Sequence, residues 1–170
     1  MNTVDIAFLK KIPIFTGLTD DQLARVMRIM NVRSVDTGAS IIREHEHGTD
    51  MFILLAGEVE VSKTLLLKIA GRGLDQRDKM LQKLSANDYA FFGEMGLFDD
   101  RSVRSASIVA LTPCDIAVIT KEDFFRLAEG DTAIGYTILK NIVRILSVRL
   151  EKNNRDVLKL TTALSLALER

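Results

Sequence analysis

The chain has 170 residues, 47% apolar and 27% charged, with 23 basic residues balanced by 23 acidic ones; that balance supplies no general attraction to nucleic acid or anionic membrane. The size suits one domain with an appendage, and no apolar run approaches the roughly 20 residues of a membrane span. Met1 to Lys11 lacks the apolar core and cleavage site of a signal peptide, and a lone Cys114 excludes an intramolecular disulfide, so a soluble cytoplasmic protein is expected.

Thr19-Asp20-Asp21-Gln22 has the pattern of a capping box, and Leu23, Val26, Met27 and Met30 follow at helical spacing. A short amphipathic helix over residues 19 to 31 is predicted. From about Arg33 to Ile119 the period changes to that of strands. Glu58-Val59-Glu60-Val61 alternates, and Ser107-Ile108-Val109-Ala110 and Ile116-Ala117-Val118-Ile119 are short apolar runs near turn signals at Asp99-Asp100 and Pro113. Residues 62 to 83 read as a hairpin whose tip, Gly71 to Asp78, is charged, either solvated or held by a partner. Many short strands with turns between them predict a mainly β fold with flanking helices, a small antiparallel β-barrel or jelly roll.

After Thr120, an N-cap, one helix is predicted over residues 121 to 128. Gly130-Asp131 then breaks the chain, and a long helix begins near Thr132. Within it Leu139, Val143, Leu146, Leu150, Asn153, Val157, Leu160, Leu164 and Ala167 fall at alternating spacings of four and three, a heptad seam with one polar position at Asn153. Ile138, Ile142 and Ile145 form a second stripe facing the barrel. A helix apolar on two faces calls for two partners, its own barrel and the same helix of a second subunit. The alternative is a break at Asn153-Asn154, with residues 155 to 170 folding back. The division expected is 1–130 for the barrel with its N-terminal helices and 131–170 for a helical region serving as ligand lid and dimer contact.

Function is concentrated in residues 93 to 107, Gly-Glu-Met-Gly-Leu-Phe-Asp-Asp-Arg-Ser-Val-Arg-Ser-Ala-Ser. Glu94 is followed ten positions later by Arg104 and then by the small residues Ser105, Ala106 and Ser107. One carboxylate, one guanidinium and a run of small residues suit a ligand with a vicinal hydroxyl and one phosphate charge. The Arg fork clamps two phosphate oxygens, and small residues let backbone N–H groups approach as a nest.

This segment resembles the phosphate-binding cassette of the cyclic nucleotide-binding domains, with the G-E-x-G-L core, Met95 at its variable position, and the R-S-A ending of the catabolite activator branch. The flanks agree: residues 35–44 and 51–61 look like the early strands of that family, and 114–124 like its closing strand and following helix. The resemblance implies that the chain binds cAMP, ahead of cGMP, without catalysing a reaction. It implies roles for Arg104 on the cyclic phosphate, Glu94 on the ribose 2′-hydroxyl, Gly93 as free backbone, and Ser105 and Ala106 beside the phosphate. Val61 and Leu81 match apolar positions along sugar and base, and Arg149 and Leu150 match the base cap on the long helix. A Ser105 hydroxyl would also suit a syn guanine. An unpaired buried Arg104 would cost several kcal/mol, which would make occupancy consequential.

Three departures stand out. His45 replaces the family's usual glycine after Glu44. Asn87-Asp88 replaces a Gly-Asp, with Asn87 expected to take the left-handed turn. About two extra residues follow in Tyr89-Ala90-Phe91-Phe92.

No cofactor or metal is expected. His45-Glu46-His47 imitates part of a cupin metal motif, but the chain has only those two histidines and a turn before Gly48-Thr49-Asp50 is their expected setting. Activator relatives carry a helix-turn-helix after the long helix. Here residues 151–170 hold few basic groups, so no nucleic-acid binding is expected of this chain. It reads as a sensor signalling through an unidentified protein partner, or alternatively as a truncated regulator of the activator type.

Overall fold

The computed structural model describes residues 4–69, 73–98 and 103–168, and of 65–69 and 73–77 the backbone only. The predicted turn at Asp99-Asp100 and the tip residues Gly71 and Arg72 lie outside the described residues. Helices α1 (Ile6–Leu9) and α2 (Asp20–Arg28) flank a 3-10 turn at Pro13–Phe15. Eight strands follow: β1 (Asn31–Val35), β2 (Ser40–Ile42), β3 (Met51–Ala56), β4 (Glu58–Ile69), β5 (Gly73–Ser85), β6 (Phe91–Phe92), β7 (Ser107–Ala110) and β8 (Cys114–Ile119). Helices α3 (Lys121–Gly130) and α4 (Thr132–Leu168) close the chain.

The described strands form two four-stranded antiparallel sheets, in the orders β1-β8-β3-β6 and β2-β7-β4-β5. The architecture is the predicted jelly roll with flanking helices. Period two along β3 explains its unbroken apolar run. Phe52 and Leu54 face inward to a core with Val59, Phe92, Ile108 and Ile116. Met51, Ile53 and Leu55 face outward, under the helices, with Leu9, Phe15, Leu23, Phe124, Ile134, Ile138 and Ile142. A strand buried on both faces shows no polar alternation. Each such side chain contributes about 1.5–3 kcal/mol by leaving water.

The capping box at Thr19 forms as predicted: the Gln22 N–H donates to Thr19 Oγ1 at 3.3 Å and the Thr19 N–H to Gln22 Oε1 at 3.0 Å. The helix ends at Arg28, three residues before the predicted limit, because Asn31 already pairs with Val118 in β1. The predicted hairpin is present as β4–β5, and β7 pairs with β4 only over Val59 to Ser62.

The long helix runs on past Asn153, and the alternative of a break at Asn153-Asn154 does not occur. Helix α4 is continuous over 37 residues, about 55 Å at 1.5 Å per residue. Its first third is anchored by the predicted isoleucine stripe, with Ile138 and Ile142 buried and Ile145 partly so. The buried Asn141 amide donates to the carbonyls of Ile14 at 3.0 Å and Thr16 at 2.8 Å, a link that apolar periodicity does not reveal. In the proposed seam Leu139 and Leu146 lean on the body, whereas Val143, Leu150, Val157, Leu160 and Leu164 are exposed. No helix among the described residues is long and apolar enough to cross a membrane.

Candidate ligand-binding site

Gly93 opens the cassette in a left-handed conformation, φ +78°, and a Cβ there would lie 2.8 Å from the Asp50 carbonyl oxygen. Only glycine meets both demands. The following 3-10 turn, Glu94–Leu97, carries the Glu94 carboxylate inward, where the residue is 4% exposed.

Arg104 is 9% exposed. Its Nη2 donates to the Asp50 carbonyl at 2.9 Å and its Nη1 to the Gly93 carbonyl at 3.3 Å, and its guanidinium carbon lies 5.6 Å from the centre of the Phe52 ring. Three glycines make the space. A Cβ on Gly48 would meet Arg104 Nε at 2.6 Å, one on Gly96 would meet Nη1 at 2.8 Å, and one on Gly93 would meet Nη1 at 3.1 Å. Burial lowers the Arg104 pKa below the ordinary guanidinium value, and the Asp50 carboxylate partly offsets this. The guanidinium is therefore not left bare, contrary to the expected cost of an unpaired charge: backbone carbonyls satisfy it.

The backbone of Arg104 is pinned on both sides. Its N–H donates to the Glu46 carbonyl, and its own carbonyl accepts from the His45 N–H, each at 2.9 Å. That geometry places His45 at φ +68°, which is why glycine suits this position. His45 and His47 thus sit on the predicted turn, His47 forming an isolated bridge to Val103. Glu44, its side chain 7% exposed, accepts from the Thr64 N–H at 2.9 Å and holds β4 beside the same turn. Among the described residues no cluster of three or more His, Cys, Asp and Glu is arranged to hold a metal ion.

A cavity of about 460 Å³ opens above these groups, within the usual range for small-molecule sites. Val61, Gln82 and Leu84 form its sheet wall, the cassette from Gly93 to Gly96 and Arg104 to Ala106 its floor, and Arg149, Lys152 and Asn153 its helical side. Met95 and Ser105 stand exposed at the rim. Arg149 Nη1 donates to Glu94 Oε1 at 2.6 Å, and its guanidinium carbon lies 5.3 Å from the centre of the Phe91 ring. A larger hollow of about 610 Å³, between Phe8, Tyr89 and Gly57, has no buried polar side chain on its walls and lies apart from Arg104.

Sequence reasoning named Gly93, Glu94, Met95, Arg104, Ser105, Ala106, Val61 and Arg149 as neighbours, and the fold brings them to one cavity. Leu81 is a correction. Val61 pairs with Gln82 but Ser62 with Met80, so Leu81 is the extra residue of a β-bulge and turns out to 54% exposure; Gln82 and Leu84 face the cavity instead. Leu150 is likewise exposed. The helical positions over the cavity are Arg149, Lys152 and Asn153, because residues three and four apart share a helix face. Asn153, expected in the dimer seam, lines the cavity. The left-handed turn before the cassette falls on Tyr89, φ +53°, while Asn87 lies inside a 3-10 turn capped by Ser85. The sequence reading missed Gln82, Lys152 and the glycine cage at Gly48 and Gly96. A glycine three residues after His45 was the available signal for the cage.

A family model described as the cyclic nucleotide-binding domain matches residues 32–131. The chain is 32% identical over 123 residues to the cGMP-dependent protein kinase egl-4 of Caenorhabditis briggsae, covering 72% of this chain and 15% of the kinase. It is 31% identical over 120 residues to the cAMP-dependent protein kinase regulatory subunit of Pyricularia oryzae, covering 71% of this chain and 27% of that subunit. The chain therefore spans only a minor part of these relatives. Among solved structures it is similar in fold to the Thermus thermophilus catabolite activator protein, with a TM-score of 0.73 and 23% identity over 88% of this chain and 63% of that one. It is also similar to a cyclic nucleotide-binding domain from Methylobacillus flagellatus, with a TM-score of 0.72 and 24% identity over 90% of this chain and 80% of that one. The chain belongs to the cyclic nucleotide-binding domain family.

Proposed function

We propose that this member of the cyclic nucleotide-binding domain family is a non-catalytic cytoplasmic sensor that binds a 3′,5′-cyclic nucleotide, cAMP ahead of cGMP, without a cofactor. The observation that carries the reading is the buried Arg104 guanidinium, fixed by two backbone carbonyls beside the buried Glu94 at the cavity floor. A cyclic phosphodiester has one negative charge, so one guanidinium neutralises it. The Ser105 hydroxyl and the Ser105 and Ala106 amides complete the phosphate nest.

Glu94 takes the ribose 2′-hydroxyl. Its Oε1 is engaged by Arg149, and its Oε2 has no hydrogen bond among the described residues, which leaves an acceptor for the sugar. Val61 and Leu84, with Leu84 in place of Leu81, line the sugar and base. Met95 flanks the rim.

Residues 1–130 form the binding domain on this reading, and 131–170 the lid and dimer contact. The exposed seam residues Val157, Leu160 and Leu164 support a homodimer through α4, with a further protein partner receiving the signal. The buried free thiol of Cys114 is in keeping with a reducing compartment.

Titration calorimetry of protein stripped by unfolding and refolding tests the reading, with cAMP, cGMP, cyclic di-GMP and 5′-AMP as probes. Saturable binding of cAMP at micromolar concentration or below is expected. Failure of every cyclic nucleotide to bind below about millimolar would overturn it.

A further inference from the structure

We propose that the outer face of α4 docks an acidic amphipathic helix of a partner protein. The inference rests on the homodimer reading, because that reading says which face of the helix remains open. The seam through Leu139, Val143, Leu146 and Leu150 occupies the a and d positions of the heptad, so the b, c and f positions point away from the second helix. Past Ile145 they also clear the barrel: every residue from Ser147 to Leu168 is exposed in the single chain.

The open face is not an ordinary solvated one. It carries Val148 at 65%, Leu158 at 68% and Leu166 at 62% exposure, apolar side chains that the seam leaves uncovered, where outer positions of a solvated helix are polar. With them stand Arg144, Lys152, Arg155 and Lys159, against the acid Glu151. Among the described residues Lys159 pairs with Asp156 at 3.6 Å, while Arg144, Lys152 and Arg155 make no ion pair or hydrogen bond. The chain is neutral overall, yet α4 holds six basic and two acidic residues while residues 1–131 hold 16 and 20. The cationic excess is concentrated on this helix.

Charge and pattern together select the occupant. An acidic helix laid alongside sets its carboxylates against Arg144, Arg155 and Lys159. Its apolar residues cover Val148, Leu158 and Leu166, a contact about 27 Å long at 1.5 Å per residue. A phosphate backbone would gain nothing from those apolar side chains and would meet Glu151 and Asp156. An anionic bilayer needs a continuous apolar face, whereas here the apolar side chains stand two turns or more apart with polar residues between them.

Fluorescence anisotropy of a labelled synthetic peptide, titrated with the full chain, tests this. The peptide is an amphipathic helix of about four heptads with Leu on one stripe and Glu on its flanks; its twin carries Lys in place of Glu. The Glu peptide is expected to bind saturably, with affinity falling as salt rises. Arg144→Glu with Arg155→Glu should weaken it about tenfold or more and turn the preference toward the Lys twin. Leu158→Ser with Leu166→Ser should weaken it as well. All four side chains are exposed, so both variants should remain dimers by light scattering and bind cAMP as wild type does. Equal binding of the two peptides, or charge reversal without effect, would overturn the proposal. Phosphatidylserine vesicles or duplex DNA binding more tightly than the Glu peptide would also overturn it, in favour of lipid or nucleic acid. A monomeric wild type overturns the dimer reading and the choice of face with it, whereas a dimer that ignores the Glu peptide overturns this proposal alone.

Discussion

Arg149, in the middle of α4, donates to Glu94 of the cassette at 2.6 Å, and among the described residues this is the side-chain hydrogen bond that ties the long helix to the ligand floor. Glu94 is buried and Arg149 is half exposed, so the carboxylate depends on the contact more than the guanidinium does. Arg149→Met is expected to destabilise the ligand-free protein by about 1–3 kcal/mol, because a buried acceptor loses its charged donor. Glu94→Gln in the same background should recover part of that loss, and a double-mutant cycle in urea measures the coupling. Strictly additive effects would show that the contact is not energetically formed in solution.

Arg104→Lys should weaken cyclic-nucleotide binding tenfold or more while leaving the melting curve close to wild type. Lysine keeps the charge but cannot reach two phosphate oxygens and two backbone carbonyls with a planar fork. Gly48→Ala should mimic it, since the added Cβ falls 2.6 Å from Arg104 Nε and displaces the guanidinium. Calorimetry on both variants decides. Affinity retained in Arg104→Lys would remove Arg104 from the phosphate.

His45→Gly is expected to stabilise the fold. His45 holds φ +68°, a conformation costing a non-glycine residue roughly 1 kcal/mol, and its exposed imidazole reaches Glu44 only at 3.9 Å. For a chain of this size a gain of about 1 kcal/mol raises Tm by roughly 2–4 °C. A lower Tm would mean that the imidazole contributes more than the backbone strain removes.

The exposed apolar seam predicts a dimer of about twice the 19.0 kDa chain mass by light scattering. Val157→Glu with Leu160→Glu should yield a monomer, since both side chains are exposed in the isolated chain and neither supports its core. Hydrogen exchange over residues 140–160 should slow on adding cAMP, because a ligand bound beneath Arg149 and Asn153 favours one helix position by its differential affinity. A monomeric wild type would sink the dimer, and exchange indifferent to ligand would sink the coupling.

The cassette, the capping box at Thr19, the N-cap at Thr120, the hairpin and the two-faced long helix could be read from the chain alone, because each is written in local spacing: a left-handed glycine, a Thr three residues before its partner, a period of two or of 3.6. Glu94, Arg104 and their small neighbours were legible for the same reason. The rest depends on register between distant strands and on which face of α4 lies over the cavity. One bulge at Val61/Ser62 turns Leu81 outward and Gln82 inward, since side chains alternate and a single extra residue exchanges the faces. Continuity of α4 past Asn153 carries Lys152 and Asn153 over the cavity, where local sequence had offered a seam position or a helix end. The carbonyls that hold Arg104 belong to Gly93 and Asp50, and backbone acceptors from distant segments leave no trace in side-chain chemistry. They become partners only when the chain has folded.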